Sequence, residues 1–220
     1  MLGKRIATRA WQNDRAELEG VINTTLASLC AFNTTMVNGP DFAGILDYYT
    51  GLMTAAGVRD MSFARVPCEF ADREAMIIYP DTFKSEVDAA VGNYHAKNNE
   101  TVRINHPVVH FHLDAYPLSR SASSLSTLST HHDRKKGLVY ARGANDMKGQ
   151  AGLGPLLALL LQDQGYLPPV FMVTTDEEIG GSFGGDRLYR SLYSTMANID
   201  WERPEELPDA LSAASAAILM

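Results

Sequence analysis

Residues 106–115 read HPVVHFHLDA, and residues 168–175 read PPVFMVTT. Both stretches are short, continuous runs of apolar and β-branched residues. This composition is typical of strands that are buried on both faces of a parallel sheet. The two runs therefore predict the centre of a sheet, and helical patterns elsewhere in the chain predict what covers it.

Helical and strand patterns alternate around these two runs. Apolar residues recur at intervals of three and four in residues 14–32 and 42–56, which predicts two amphipathic helices. Asn13 or Asp14 can cap the first helix, and Gly57 ends the second. The remaining predictions are strands at 61–67, 75–79 and 137–143, a weaker helical pattern at 82–97, and helices at 153–164 and 184–196.

The alternation of strands and helices predicts an α/β fold, with a mainly parallel sheet between helices in a three-layer α/β/α arrangement. Residues 116–136 are rich in serine and threonine at their centre and have no hydrophobic period, so a surface loop is expected there. Pro155 is expected to interrupt the helical pattern that follows Lys148.

Composition excludes several classes of function. The chain has 220 residues, and 19 Lys and Arg against 26 Asp and Glu give a net charge of −7. This balance argues against nucleic acid as a partner, because such binding depends on clustered positive charge. Cys30 and Cys68 are too few for a disulfide scaffold, and reduced thiols in the cytoplasm are expected. The chain has no run of 18 apolar residues, so no membrane span is predicted.

Three short segments carry the chemistry. In HFHLDA, the strand period places His110, His112 and Asp114 on one side, so the carboxylate can orient an imidazole that binds a metal. A core histidine that is hydrogen-bonded to a neighbour is the alternative. In YARGANDMKGQ, Asp146 lies before a helix, where it can serve either as a ligand or as a helix cap.

The third segment is the acidic triple Asp176, Glu177 and Glu178, which follows a buried strand. Three adjacent acids repel one another, and such clusters usually need a cation or a raised pKa. A solvated acidic loop is the alternative. Because open α/β sheets bind ligands at the ends of their strands, we expect the three segments to meet there.

Taken in order, HLDA, YARGANDMKG 34 residues later and TTDEEIGG a further 32 residues on resemble the motifs of a zinc family. This is the metallopeptidase and deacylase family of aminoacylase, carboxypeptidase G, acetylornithine deacetylase and succinyl-diaminopimelate desuccinylase. The resemblance extends from Leu29 to about Leu192. It implies a hydrolase of N-acyl-amino-acid or peptide amide bonds that acts on small substrates and has two zinc ions, with cobalt or manganese as alternatives.

The resemblance also implies roles for individual residues. His112 ligates one ion, Glu178 ligates the other, and Asp146 bridges both. Glu177 acts as the general base on the attacking water, and Asp114 orients His112. It further implies a cis peptide bond between Asp146 and Met147. His110 has no role in this pattern, so we expect it to be structural.

The chain also departs from the family. The family has a further carboxylate in a strand that aligns with residues 208–220, where this chain has Ser215. It also has a histidine near its C-terminus and a lid domain that builds a homodimer, whereas His132 is the last histidine here. We therefore expect residues 1–220 to form a partial catalytic domain without the lid and the C-terminal catalytic segment. The alternative to an enzyme is a truncated, non-catalytic fragment that binds metal weakly or not at all.

Overall fold

The fold is built on strands that follow the predicted apolar runs. The computed structural model describes residues 2–35, 40–68, 73–83, 85, 89, 106–116, 130–133, 135–136, 138–180 and 218–219. The strands are β1 (Met61–Pro67), β2 (Glu74–Pro80), β3 (Val108–His112), β4 (His131–Asp133), β5 (Leu138–Tyr140), β6 (Val170–Thr174) and β7 (Ile218–Leu219). The helices are α1 (Leu2–Ala7), α2 (Arg15–Cys30), α3 (Phe42–Ala55) and α4 (Gly149–Asp163).

The main sheet has the strand order β1-β2-β6-β3-β7. β3 is parallel to both β6 and β7, whereas β2 is antiparallel to both β1 and β6. The α/β class is confirmed, but the sheet is mixed rather than mainly parallel. The physical reason lies in the connection between β1 and β2, since residues 68–73 are too few for the crossover that a parallel pair requires.

α2, α3 and α4 pack on one face of this sheet. Their buried side chains meet alternate residues of the central strands in one cluster, in which Phe111 of β3 stacks on Phe171 of β6 with ring centroids 5.8 Å apart. The helical members of this cluster are Leu29, Ile45, Leu46, Tyr49, Met53, Ala151 and Ala158. The helices predicted at 184–196 and over most of 82–97 lie outside the described residues, as does most of the predicted loop at 116–136.

The predicted ends of the first two helices are confirmed. The Asp14 side chain accepts hydrogen bonds from the backbone N–H groups of Ala16 and Glu17, at 2.8 and 3.2 Å, and so caps α2. Gly57 follows α3 with φ +81°, a left-handed conformation that glycine adopts at little cost. Local sequence signals therefore set both boundaries.

Two elements were not predicted. α1 is only six residues long, and its Ile6 is buried against Trp11 and Val21, so tertiary packing rather than propensity holds it. β4 lies in the segment expected to be a loop and pairs antiparallel with β5. A three-residue strand offers too few positions for an alternating pattern to be recognised.

The prediction that Pro155 interrupts the helix was wrong, because α4 runs continuously from Gly149 to Asp163. A proline in a helix cannot donate to the carbonyl four residues earlier, which is that of Ala151. The buried hydroxyl of Tyr49 takes the place of that donor and bonds to the Ala151 oxygen at 2.8 Å. α3 thus supplies the hydrogen bond that Pro155 removes from α4.

The helices were also compared with the length that a membrane span requires. Within the described ranges, no helix combines the length and the apolar character that crossing a bilayer requires.

The contact between Tyr49 and Ala151 predicts a specific coupling. Tyr49→Phe should lower the free energy of unfolding by about 1–3 kcal/mol, because the buried Ala151 carbonyl loses its donor. In the Pro155→Ala background the loss should be smaller, since residue 155 regains an N–H. Chemical denaturation of the four proteins in this double-mutant cycle measures the coupling. Tyr48→Phe is the control, because that hydroxyl bonds to no described residue; equal losses in both backgrounds would contradict the assignment.

Candidate metal centre

The candidate site forms where β3 and β6 end side by side. The register pairs His112 with Thr174 at the ends of these parallel strands, and the Leu113 N–H continues the pairing with the Thr174 carbonyl at 2.9 Å. The segments that follow the two strands therefore leave the same edge of the sheet. One carries Asp114, and the other carries a 3-10 turn, Glu177–Ile179.

Asp114 connects these two segments. It is 2 % exposed, and its carboxylate accepts hydrogen bonds from the backbone N–H groups of Glu178 at 2.9 Å and Glu177 at 3.3 Å. Its Oδ1 also lies 3.3 Å from Nδ1 of His112. One buried carboxylate therefore positions both the imidazole and the acidic turn.

Asp146 reaches the site from a third segment. Gly143 has φ +72° and precedes a wide turn, Ala144–Lys148, which leads directly into α4. Within this turn the peptide bond between Asp146 and Met147 is cis, as the resemblance implies. The Asp146 Oδ1 lies 2.8 Å from Nε2 of His112. The same imidazole thus contacts Asp114 through one ring nitrogen and Asp146 through the other.

His112, Asp146 and Glu178 each offer one ligand atom, and these atoms lie within 4.8 Å of one another. His112 is 3 % exposed, whereas the side chain of Asp146 is 71 % exposed, so the group has a fixed imidazole and a solvent-facing carboxylate. Imidazole and carboxylate together form a donor set that suits zinc and related divalent ions. The residues present therefore fit a metal ion.

Glu177 lies beside this group without being part of it. Its Oε2 is 3.6 Å from Nε2 of His112, and its side chain is 49 % exposed. Neighbouring Asp176 is buried at the start of the 3-10 turn. The structure thus brings His112, Asp114, Asp146, Glu177 and Glu178 to one place, and it directs Asp176 into the protein.

The acidic surroundings shift the pKa values of the central groups. Burial opposes protonation of His112, but hydrogen bonds to Asp114 and Asp146 outweigh it and raise the pKa of His112 to about 9. Burial raises the pKa of Glu178, and the charges of Asp146 and Asp114 add to this increase. Neighbouring carboxylates contribute to the raised pKa of both groups, and a bound cation would offset this negative charge.

His110 has a different environment. Its Nε2 lies 2.9 Å from the Thr174 hydroxyl on the neighbouring strand. Burial lowers the pKa of His110, and proximity to His112 lowers it further. This contact is consistent with the structural role expected for His110.

The motif that carries Asp146 also contains a lysine whose burial the sequence pattern does not predict. Lys148 is 1 % exposed, and its Nζ donates to the Phe32 carbonyl at 3.1 Å. Burial lowers its pKa to about 8, against the opposing effects of Cys30 and Asp114. The only signal was its place two residues after Asp146, since a lysine in a polar turn normally faces solvent.

Comparison with known proteins identifies a family that part of the chain resembles. Residues 108–212, which include every residue of the candidate site, match the sequence profile of Peptidase family M20/M25/M40. The resemblance to this metallopeptidase family is confirmed. No curated protein sequence matches the chain significantly.

Two solved structures are similar to the chain. The crystal structure of human carnosine dipeptidase 1 is 14 % identical, with a TM-score of 0.48 over 83 % of this chain and 36 % of that one. The dipeptidase Dug1p from Saccharomyces cerevisiae is 12 % identical, with a TM-score of 0.44 over 91 % of this chain and 38 % of that one. The chain thus spans little more than a third of the length of either structure.

The buried position of Asp114 predicts a large effect of its removal. Asp114→Ala should lower the free energy of unfolding by about 1.5–3 kcal/mol, because two backbone N–H groups lose a buried, charged acceptor. Denaturant unfolding, followed by the fluorescence of buried Trp11, measures the change. Asp133→Ala is the matched control, since Asp133 also accepts two backbone N–H groups but in an exposed turn. An equal loss in both variants would contradict a connecting role for Asp114.

Proposed function

We propose that the chain contributes to a metal-dependent hydrolase of peptide or N-acyl-amino-acid amide bonds, with zinc as the metal. The observation that carries this proposal is the convergence of donor atoms from His112, Asp146 and Glu178 within 4.8 Å. These residues come from three segments far apart in the chain, and all lie in the part that matches the peptidase family.

In this proposal, His112, Asp146 and Glu178 would hold the metal. When bound, a divalent ion supplies Lewis-acid chemistry that polarises the amide carbonyl and lowers the pKa of water. Asp114 keeps the His112 ring in orientation through its contact with Nδ1.

Glu177 is proposed as the general base. Its carboxylate is near His112 but half exposed, so it can contact both water and a bound substrate. It accepts a proton from the attacking water and donates it to the leaving amine. The backbone N–H of Glu177 donates to the Asp114 carboxylate. This hydrogen bond holds Glu177 near the site without requiring Glu177 to be a metal ligand.

Zinc affinity distinguishes the proposed roles of the neighbouring residues Glu177 and Glu178. Glu178→Gln should weaken zinc affinity by about tenfold or more, because a carboxylate ligand is lost. Glu177→Gln, the same substitution one residue earlier, should leave zinc affinity unchanged. Competition against a chromophoric zinc chelator measures both. Equal affinities in wild type and both variants would contradict the assignment of Glu178 as a ligand.

Turnover tests the proposed role of Glu177 as the general base. Glu177→Gln should lower kcat on dipeptides and N-acetyl-amino acids by about 10²- to 10⁴-fold while zinc content stays constant, because general-base catalysis is lost. Release of free amine measures the rate, and metal analysis of the same samples measures the zinc. If the zinc-loaded chain cleaves neither substrate class, the hydrolase proposal fails and the non-catalytic alternative is favoured.

A further inference from the structure

Arg73 is a buried arginine beside the acidic turn Glu177–Ile179. It is 5 % exposed and comes immediately before β2. Its Nη1 donates a hydrogen bond to the carbonyl of Thr175 at 2.9 Å. Thr175 is fully buried, and only Asp176 separates it from the acidic turn. Because arginine is rarely buried unless its charge has partners, this contact indicates a specific role.

The contact lies just beyond the pairing between β2 and β6. The antiparallel register of these strands ends at Met76 and Val173, and two side chains connect the segments past this point. The Thr175 hydroxyl donates to the Glu74 carbonyl at 2.8 Å, and the Arg73 guanidinium donates to the Thr175 carbonyl. Side-chain hydrogen bonds thus replace the backbone pairing where the chain leaves the sheet for the acidic turn.

Arg73 is itself held by two other parts of the fold. Its guanidinium carbon lies 4.5 Å from the centroid of the Phe42 ring, at the start of α3, and this geometry is that of a cation–π contact. Its backbone carbonyl accepts the Cys68 N–H at 2.9 Å, which ties the start of β2 to the end of β1. The arginine therefore links α3 and the β1–β2 hairpin to Thr175.

The acidic turn has two separate anchors as a result. Asp114 accepts the N–H groups of Glu177 and Glu178 and fixes the turn relative to β3. Arg73 fixes the residue that precedes the turn relative to β2 and α3. Together the two anchors restrain the backbone that carries the Glu178 side chain on both sides.

We propose that Arg73 is a positioning residue, which places Glu178 within reach of the metal that His112 and Asp146 would hold. The inference rests on the proposed function, because it takes Glu178 as a ligand. Arg73 acts through the Thr175 carbonyl and contributes no ligand itself. Loss of Arg73 should therefore weaken metal binding only to the extent that Glu178 contributes to it.

A double-mutant cycle on zinc affinity tests this role. Arg73→Met removes the donor but keeps an apolar side chain against the Phe42 ring, and it should weaken zinc binding by about tenfold. In the Glu178→Gln background the same substitution should change zinc affinity by less than about twofold, because no carboxylate is left to position. Competition against a chromophoric zinc chelator measures all four proteins.

Arg73→Lys is the conservative variant. Lysine keeps the charge and a donor but has a shorter reach, so it should restore part of the affinity and leave a loss of about threefold, again only where Glu178 is present. This variant carries the cycle if Arg73→Met does not fold, which far-UV circular dichroism shows. Arg65→Met is the matched control, since Arg65 lies on the same hairpin but pairs with Glu74 through a partly exposed side chain. It should leave zinc affinity unchanged.

A folded Arg73→Met or Arg73→Lys chain that binds zinc as tightly as wild type overturns the positioning role, and the hydrolase proposal stands. An equal loss of affinity with and without Glu178 also overturns it, because that result indicates a general structural effect. A wild-type chain that binds no zinc instead overturns the proposed function, and this inference with it.

Discussion

The candidate site depends on the buried carboxylate of Asp114. This group follows β3 and accepts the backbone N–H groups of the turn that follows β6, at 2.9 and 3.3 Å. A carboxylate that is 2 % exposed is stable only where hydrogen bonds replace its hydration. Asp114 therefore forces the two strand ends into a fixed relation, and the side chains of His112, Glu177 and Glu178 follow from it.

The third segment of the site is fixed from the opposite side. The turn that carries Asp146 continues into α4, and α4 is held on the sheet by packing against Phe111 and by the Tyr49 hydroxyl. Since Pro155 leaves the Ala151 carbonyl without its helical donor, the hydroxyl of Tyr49 supplies a donor and α4 continues through the proline. Lys148 ties the end of the turn to the Phe32 carbonyl, just beyond α2. Asp146 thus reaches His112 from a turn that these contacts support, although its own side chain is exposed.

Acidic side chains predominate around the candidate metal centre. Asp114, Asp146, Glu177 and Glu178 surround a single imidazole, and the pKa of His112 rises to about 9 in response. Lys148 is buried, and Arg142 is half-buried. Neither forms an ion pair with the described carboxylates of the site. The excess negative charge of the site is therefore available to a cation.

The sequence by itself determined the local features of this protein. Helical periods and caps predicted α2 and α3, and continuous apolar runs predicted β3 and β6, because these signals depend on residues close together in the chain. The three motifs were also sufficient to predict that His112, Asp146 and Glu178 meet, since strands that end at one edge bring their following residues together.

Only the tertiary structure decided what depends on contacts between distant residues. The antiparallel pairing of β2 with β6 makes the sheet mixed, and packing of Ile6 against Trp11 and Val21 stabilises the short α1. Pro155 by itself predicts a broken helix. The helix continues because the hydroxyl of Tyr49, over a hundred residues earlier in the chain, donates to the Ala151 carbonyl. Arg142 is a second example, because its neighbours in the sequence predict an ordinary loop arginine. The burial of its Nε without a hydrogen-bond partner follows from how the chain folds around it, because local sequence does not record which polar atoms remain unpaired.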